Sequence, residues 1–152
     1  MSKESILLIG NKEKFTLEYI YYKSFKHLGY DVEFLNIDKS LKNRIVAKFN
    51  SIFPIFNYET IRKKIFFFLK KRKKKYSKII VFKGIYLDNL TINKIRKLQS
   101  NSTWINIFPD DPFNVSNPLI SNQNFFKTIT LFDYFCTFSI NIKIKLDKLF
   151  PR

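Results

Sequence analysis

The sequence is short of the residue types that most often build enzyme sites. Its 152 residues include 3 glycines, 1 cysteine and 1 histidine. A single cysteine excludes an internal disulfide and a cysteine-based metal cage. The lone histidine, His27, excludes a two-histidine metal site, and its position late in a predicted helix favours a surface role. The G-x-G-x-x-G and Walker patterns are also absent, which argues against a standard dinucleotide cofactor.

Acidic residues are scarce as well. The chain has 12 acidic and 28 basic residues, and its net charge is +16. Such a surface attracts polyanions of any kind. Lys, Ile, Phe and Asn together supply 76 of the 152 residues. All four have A/T-rich codons, so part of the lysine excess reflects codon usage rather than function.

Long apolar runs are missing too. No run reaches the ~18 residues that a membrane-spanning helix needs. The apolar run from Ile6 to Ile9 is too short for the core of a signal peptide. These features predict a cytoplasmic protein, and contact with the inner face of the membrane stays open. Cys136 lies in the apolar run "YFCTF", which predicts a buried, inert thiol.

Short apolar runs that end at glycine, proline or polar residues predict five strands. The clearest, "KIIVFKG", has four consecutive apolar residues. The predicted strands are Ser5 to Gly10, Asp31 to Ile37, Lys78 to Gly84, Ser102 to Phe108 and Phe132 to Phe138.

Segments with helical apolar spacing alternate with these strands. We predict helices over Lys14 to His27, Leu41 to Phe49 and Tyr58 to Tyr76, two short helices capped by Thr91 and Ser121, and a helix in the tail after Ser139. This alternation is typical of a parallel sheet with helices on both faces. The sequence therefore predicts a single Rossmann-like, doubly wound α/β domain over residues 1–152, with strand order 3-2-1-4-5.

In such a sheet, ligands bind outside the carboxyl ends of the strands, near the point where strand order reverses. Asp110 and Asp111, framed by Pro109 and Pro112, follow the fourth predicted strand and so lie at this edge. One carboxylate could bind hydroxyls or act as a general base, and the other could cap the loop. Other candidates at the same edge are Gly10 and Asn11 after the first strand, and Lys83 and Gly84 after the third. A pair between Lys83 and one of the two aspartates is a geometric expectation.

A second candidate is the basic run "KKRKKK", which continues a phenylalanine-rich helix. Three interpretations stay open: a solvated helix end, a surface that binds anionic membranes, and a nucleic-acid patch. The last is disfavoured because no nucleic-acid-binding motif accompanies it. The run consists of Lys70, Lys71, Arg72, Lys73, Lys74 and Lys75.

The segments "ILLIGN", "HLGYDVEFLNI", "IIVFKGIYL", "INIFPDDPFN" and "FDYFCTFS" resemble the N-terminal domain of CgeB-type glycosyltransferases, relatives of the spore-maturation protein group. The resemblance covers Ser5 to Leu149, and "FKG" and "PDDPFN" are its most specific parts. It implies half of a GT-B fold, in which this domain holds a glycan or other acceptor. A nucleotide-sugar donor would bind a second domain that the sequence lacks, in a reaction that needs no metal.

The leading hypothesis is therefore the acceptor-side domain of a glycosyltransferase, inactive without a donor-binding partner domain and binding no cofactor itself. The competing hypothesis is a non-catalytic basic module for an anionic membrane surface or nucleic acid. For the first hypothesis the candidate catalytic residues are Asp110 and Asp111, and the candidate substrate-binding residues are Gly10, Asn11, Lys83, Gly84, Pro109 and Asn114.

Overall fold

Five parallel strands form one sheet, which confirms the predicted α/β class. The structure is a computed structural model, and it describes residues 3–37, 54–113 and 123–151. The predicted helix over Leu41 to Phe49, the predicted cap Ser121 and the candidate Asn114 lie outside these residues. The strands are β1 (Ser5–Gly10), β2 (Asp31–Asn36), β3 (Lys78–Phe82), β4 (Thr103–Ile107) and β5 (Tyr134–Cys136).

The strand order is β2-β1-β3-β4-β5, so the predicted order 3-2-1-4-5 was wrong. β3 lies between β1 and β4 instead of at the edge beyond β2. Burial explains the difference. β1 and β3 are almost entirely buried, whereas β2 begins with the exposed Asp31 and has only two buried residues, Val32 and Leu35. A strand that is apolar on both faces belongs inside a parallel sheet, and one with polar positions is tolerated at its edge.

The helices are α1 (Leu17–His27), α2 (Pro54–Arg72), α3 (Asn89–Leu98), α4 (Gln123–Thr128) and α5 (Ile140–Leu149), and a 3₁₀ turn, Ile129–Leu131, follows α4. α5 confirms the helix predicted in the tail. Thr16 caps α1, since its hydroxyl accepts a hydrogen bond from the Tyr19 amide. Gly29 follows the end of α1 with a φ of 85°, as the predicted glycine stop requires.

The predicted boundaries of three helices were wrong. α1 begins at Leu17 instead of about Lys14. α2 begins at Pro54, a residue suited to the first helical turn, and ends at Arg72 rather than Tyr76. Lys73 ends it in the left-handed region, with a φ of 54°. α3 is capped by Asp88 instead of Thr91, because the Asp88 carboxylate accepts a hydrogen bond of 2.7 Å from the Thr91 amide.

The two faces of the sheet bury different clusters. On one face Ile61, Ile65 and Leu69 of α2 and Ile92 and Ile95 of α3 pack on β1 and β3. On the other face α1 packs partly buried aromatic side chains on alternate residues of the same strands. Each apolar strand face is thereby removed from water, which is the main stabilising contribution in such a layered fold. None of the described helices is long and apolar enough to cross a membrane.

A third cluster joins the end of β4 to α4 and α5. Phe108, Phe125 and Ile129 pack there against Ile142 and Leu146. Beside it, β5 has only three residues and forms an edge of the sheet. Cys136 is therefore exposed, so the prediction of a buried thiol was wrong.

Replacing Asp88 with Ala is expected to lower the free energy of unfolding by about 1 kcal/mol, because the cap of α3 is lost. Burial raises the pKa of Asp88, but the hydrogen bonds from Thr91 and the charge of Arg62 outweigh it and hold this pKa below its usual range. A lowered folded-state pKa means that the carboxylate stabilises the fold above the unfolded value of 3.8. That contribution is lost as pH falls through the folded value.

Urea unfolding near neutral pH and at about pH 2 measures both effects. The difference in the free energy of unfolding between the wild type and Asp88→Ala should be smaller at about pH 2 than near neutral pH. Asn93→Ala, at an exposed position of the same helix, is the control and should change stability by less than about 0.5 kcal/mol. A gap of equal size at both pH values would contradict the ionic part of this prediction.

Candidate functional site

The candidate site lies at the edge formed by the carboxyl ends of the strands. In the observed order the reversal point falls between β1 and β3. The prediction placed it between the first and fourth strands, so the neighbour of β1 at this point is β3 instead of β4. The loop after β3 therefore lies beside the reversal point. The loop after β4, with the two aspartates, lies next along the edge.

Lys83 occupies a strained backbone position at the end of β3. Its φ is 60°, in the left-handed region that disfavours residues with a Cβ. Its amide donates to the Ile107 carbonyl at 2.9 Å, and the next amide, of Gly84, donates to the Phe82 carbonyl at 2.7 Å. The chain thus makes a γ-turn centred on a lysine, an arrangement that is rare and strained.

The turn directs the Lys83 side chain to the neighbouring loop. Its Nζ lies 2.6 Å from Oδ2 of Asp110, so the expected pairing with one of the two aspartates is present. Both side chains are substantially exposed, 45% for Lys83 and 60% for Asp110. An exposed pair of this kind adds little to stability because water competes for both partners. The pair therefore does not by itself account for a lysine in a strained conformation.

Gly84 must be a glycine for two reasons. Its φ is 72°, and a Cβ built on it would lie 2.8 Å from Nδ2 of Asn106. Asn106 is buried on β4, and the same Nδ2 donates to the Lys83 carbonyl at 3.3 Å. Its Oδ1 is buried and has no hydrogen-bond partner among the described residues. Asn106 thus holds the strained turn in place from below, a role that the sequence alone did not suggest.

Asp110 and Asp111 have different roles although they are adjacent. Asp111 accepts a hydrogen bond of 2.9 Å from the Phe113 amide across Pro112, which is an Asx turn. Its carboxylate thereby shapes the loop, while that of Asp110 faces Lys83. Among the candidate residues that the structure describes, Asp110 is thus the aspartate that pairs with another candidate, Lys83.

The loop after β1 brings a further carboxylate to the edge. A Cβ on Gly10 would lie 2.7 Å from Cγ of Glu18, so the first turn of α1 lies directly over this glycine. Asn11 is engaged within its own loop, where its Oδ1 accepts from the Glu13 amide at 3.0 Å. Sequence reasoning missed Glu18. The available signal was an acidic residue in the first turn of the helix that follows a strand-ending glycine.

Tyr86, in the loop after β3, is buried in the core. Burial and the nearby Glu18 charge raise the pKa of its hydroxyl, which stays protonated at physiological pH. The Tyr86 carbonyl accepts a hydrogen bond of 2.7 Å from Nε of Arg62, which also pairs with Asp88 at 2.8 Å. The loop from β3 to α3 is therefore pinned at both its ends, by Asn106 and by Arg62.

Half of the basic run, Lys70 to Lys75, forms ion pairs or hydrogen bonds at the opposite edge of the sheet. Arg72 pairs with Glu33, Lys74 pairs with Asp31 at 2.8 Å, and Lys75 donates to the Leu98 carbonyl at 2.6 Å. The hydrogen bond from Lys74 lowers the pKa of Asp31. Three of the six basic residues thus anchor the domain's own chain, and the run is not one continuous free surface.

Two other features contain none of the residues of the Lys83–Asp110 pair. His27 ends α1 and is exposed at the opposite edge. The groove between β5 and α5, of about 440 Å³, has mainly apolar walls that include Phe135 and Phe138. Within residues 3–37, 54–113 and 123–151, no cluster of three or more His, Cys, Asp or Glu side chains could hold a metal ion. Comparison of the chain with protein-family models, curated proteins and solved structures finds no match in any of the three.

The two left-handed glycines provide a matched test of the turn. Gly29→Ala should cost about 1 kcal/mol, because only the backbone conformation is unfavourable and no atom lies within 4 Å of the added Cβ. Gly84→Ala should cost about 2–3 kcal/mol, since the contact with Asn106 adds to the same strain. Urea unfolding measures both values. Equal losses would show that the packing of Asn106 does not fix this turn.

Lys83→Gly is expected to stabilise the domain by about 1 kcal/mol, since glycine adopts a positive φ without steric cost. Lys73→Gly is the control, because Lys73 is also a left-handed lysine, with a φ of 54°, but lies far from the site. Both variants should raise the urea midpoint by similar amounts. A loss of stability in Lys83→Gly alone would mean that the pair with Asp110 stabilises the fold more than the turn strains it.

Proposed function

We propose that this chain is the acceptor-side domain of a glycosyltransferase. In this proposal it binds a hydroxyl-rich glycan or envelope acceptor at the carboxyl edge of its sheet, and a separate domain supplies the nucleotide-sugar donor. The observation that carries the proposal is the strained Lys83, held in a left-handed turn with its ammonium on Asp110. Backbone strain clusters at binding and catalytic sites, and here the strained residue carries the side chain that meets Asp110.

The chemistry of the pair suits a sugar hydroxyl. A hydroxyl both donates and accepts, so one such group can donate to the Asp110 carboxylate and accept from the Lys83 ammonium. The pair is exposed, so separating it slightly to admit a ligand costs little. In the proposed reaction Asp110 orients the acceptor hydroxyl and takes its proton, and Lys83 holds the carboxylate in position.

The neighbouring groups support the same assignment. Gly84 lets the turn that carries Lys83 pack against Asn106, and Glu18 lies over Gly10, where it adds a second acceptor of hydrogen bonds. The roles of Gly10, Asn11 and Pro109 in this proposal are to shape the loops around the pair. Asp111 is assigned to the loop itself, because its Oδ1 already accepts from the Phe113 amide.

A titration of the ¹⁵N-labelled chain with a panel of monosaccharides and oligosaccharides, followed by NMR, tests the proposal. The expected shift changes concentrate on the amides of the loops after β3 and β4. Asp110→Asn should weaken binding at least about tenfold, because a hydrogen bond to a charged group is lost. Asp111→Asn, which keeps an oxygen for the Asx turn, is the matched control and should bind like the wild type.

Activity supplies a second readout. The chain combined with a donor-binding domain should turn over a UDP-sugar, and Asp110→Ala should lower this turnover at least about tenfold. Carbohydrate binding that maps elsewhere on the surface would overturn the site assignment. Equal effects of Asp110→Asn and Asp111→Asn would show that the Lys83 pair does not select the functional carboxylate.

A further inference from the structure

The outward side of α2 and α3 carries two exposed apolar side chains among lysines. Phe67 is 61% exposed on α2, and Leu90 is 64% exposed on α3. Both line one groove of about 280 Å³ between the two helices. We define the α2–α3 face as these two residues together with the exposed Lys63, Lys70, Lys71, Lys94 and Lys97.

Helical spacing places these lysines on the same side as the apolar residues. Lys63, Lys70 and Lys71 lie four residues before, three after and four after Phe67. Lys94 and Lys97 lie four and seven residues after Leu90 on α3. The apolar pair is therefore surrounded by positive charge on both helices.

Acidic groups neutralise only the part of this face that lies at the groove. Within the groove, Asp88 pairs with Arg62 at 2.8 Å, and Glu59 pairs with Lys63 at 3.2 Å. Lys70 and Lys71 on α2 and Lys94 and Lys97 on α3 lie farther along the helices, and they give the face a net positive charge. Codon usage could account for many lysines, but it does not account for a phenylalanine and a leucine that are both well exposed between them.

We propose that the α2–α3 face docks on an anionic lipid bilayer, with Phe67 and Leu90 entering the interface and the lysines contacting the headgroups. This goes beyond the proposed acceptor binding and does not depend on it. The charge of the face is complementary to an anionic leaflet, which attracts surface lysines from several ångströms away. Apolar side chains that project from a basic helical face are the usual means of shallow insertion.

Two features of the face favour a bilayer over other polyanions. A nucleic acid would use aromatic side chains as stacking platforms, and Leu90 offers none. Protein–protein interfaces are depleted in lysine at their centres, whereas here lysines surround both apolar residues closely. Mobile headgroups suit long flexible ammonium side chains better than a fixed protein surface does.

Co-sedimentation with vesicles tests the proposal. The wild-type chain should bind vesicles of phosphatidylcholine mixed with phosphatidylserine, and salt should weaken this binding. It should bind poorly to phosphatidylcholine alone. Replacing Lys70, Lys71 and Lys94 with Gln should lower the partition coefficient about a hundredfold, at about fivefold for each lysine. Phe67→Ser with Leu90→Ser should also lower it at least about tenfold.

α5 offers a matched control. Ile140 and Ile144 are exposed there beside Lys143, Lys145 and Lys148. Lys143 is neutralised there by Asp147 at 2.6 Å, so the α5 side carries less free positive charge, and Ile140→Ser with Ile144→Ser should leave vesicle binding unchanged. Circular dichroism of every variant checks that a loss of binding does not come from a loss of fold.

Fluorescence gives an independent readout of insertion. Trp104 is fully buried, so Phe67→Trp adds the one tryptophan that a bilayer can reach. Its emission should shift to the blue when vesicles containing phosphatidylserine are added. Vesicle binding without this shift, equal losses from the α5 variants, or binding to RNA but not to vesicles would each overturn the proposal.

Discussion

The pairing of β1 with β3 is the interaction on which the rest of the structure depends. Both strands are buried on both faces, and their register pairs Leu7 with Ile79 and Leu8 with Ile80. A strand pair of this kind cannot face water, so helices must cover both sides, α1 on one and α2 with α3 on the other. The carboxyl ends of these two strands then define the reversal point of the sheet, where ligands bind in folds of this class.

Lys83 shows how this central pair constrains the site. Val81 and Phe82, immediately before it, are buried in the middle of the sheet, and Asn106 occupies the space beside the following glycine. The chain must turn away within one residue, and a left-handed conformation achieves this. The strain at Lys83 is thus imposed by the buried strand below it. What the sequence adds is a lysine at a position where glycine would cost less.

The sequence predicted the class of the fold and most of its elements, because apolar periodicity depends mainly on burial. Strand order was harder, since it depends on which strands pair and not on where each one lies in the chain. The polar positions of β2, Asp31 and Glu33, were the available signal that this strand belongs at an edge. Helix ends were displaced where a competing group took the cap, as Asp88 did from Thr91. The candidate site was expected from topology, whereas Asn106 reaches it through a contact that no spacing rule predicts.

Acidic residues in this basic chain mostly join distant segments of the fold. Glu4 pairs with Lys78 at the start of β3, and Asp133 binds both Arg96 and the Trp104 amide. A carboxylate paired with a lysine is therefore not in itself a sign of function here, and Asp110 must be judged on other grounds. Its pair alone stands at the carboxyl edge with a partner whose backbone is strained, and it links two loops that Asn106 and the Asx turn of Asp111 already hold. Both side chains of the pair are exposed, so its charges are accessible to solvent at this edge.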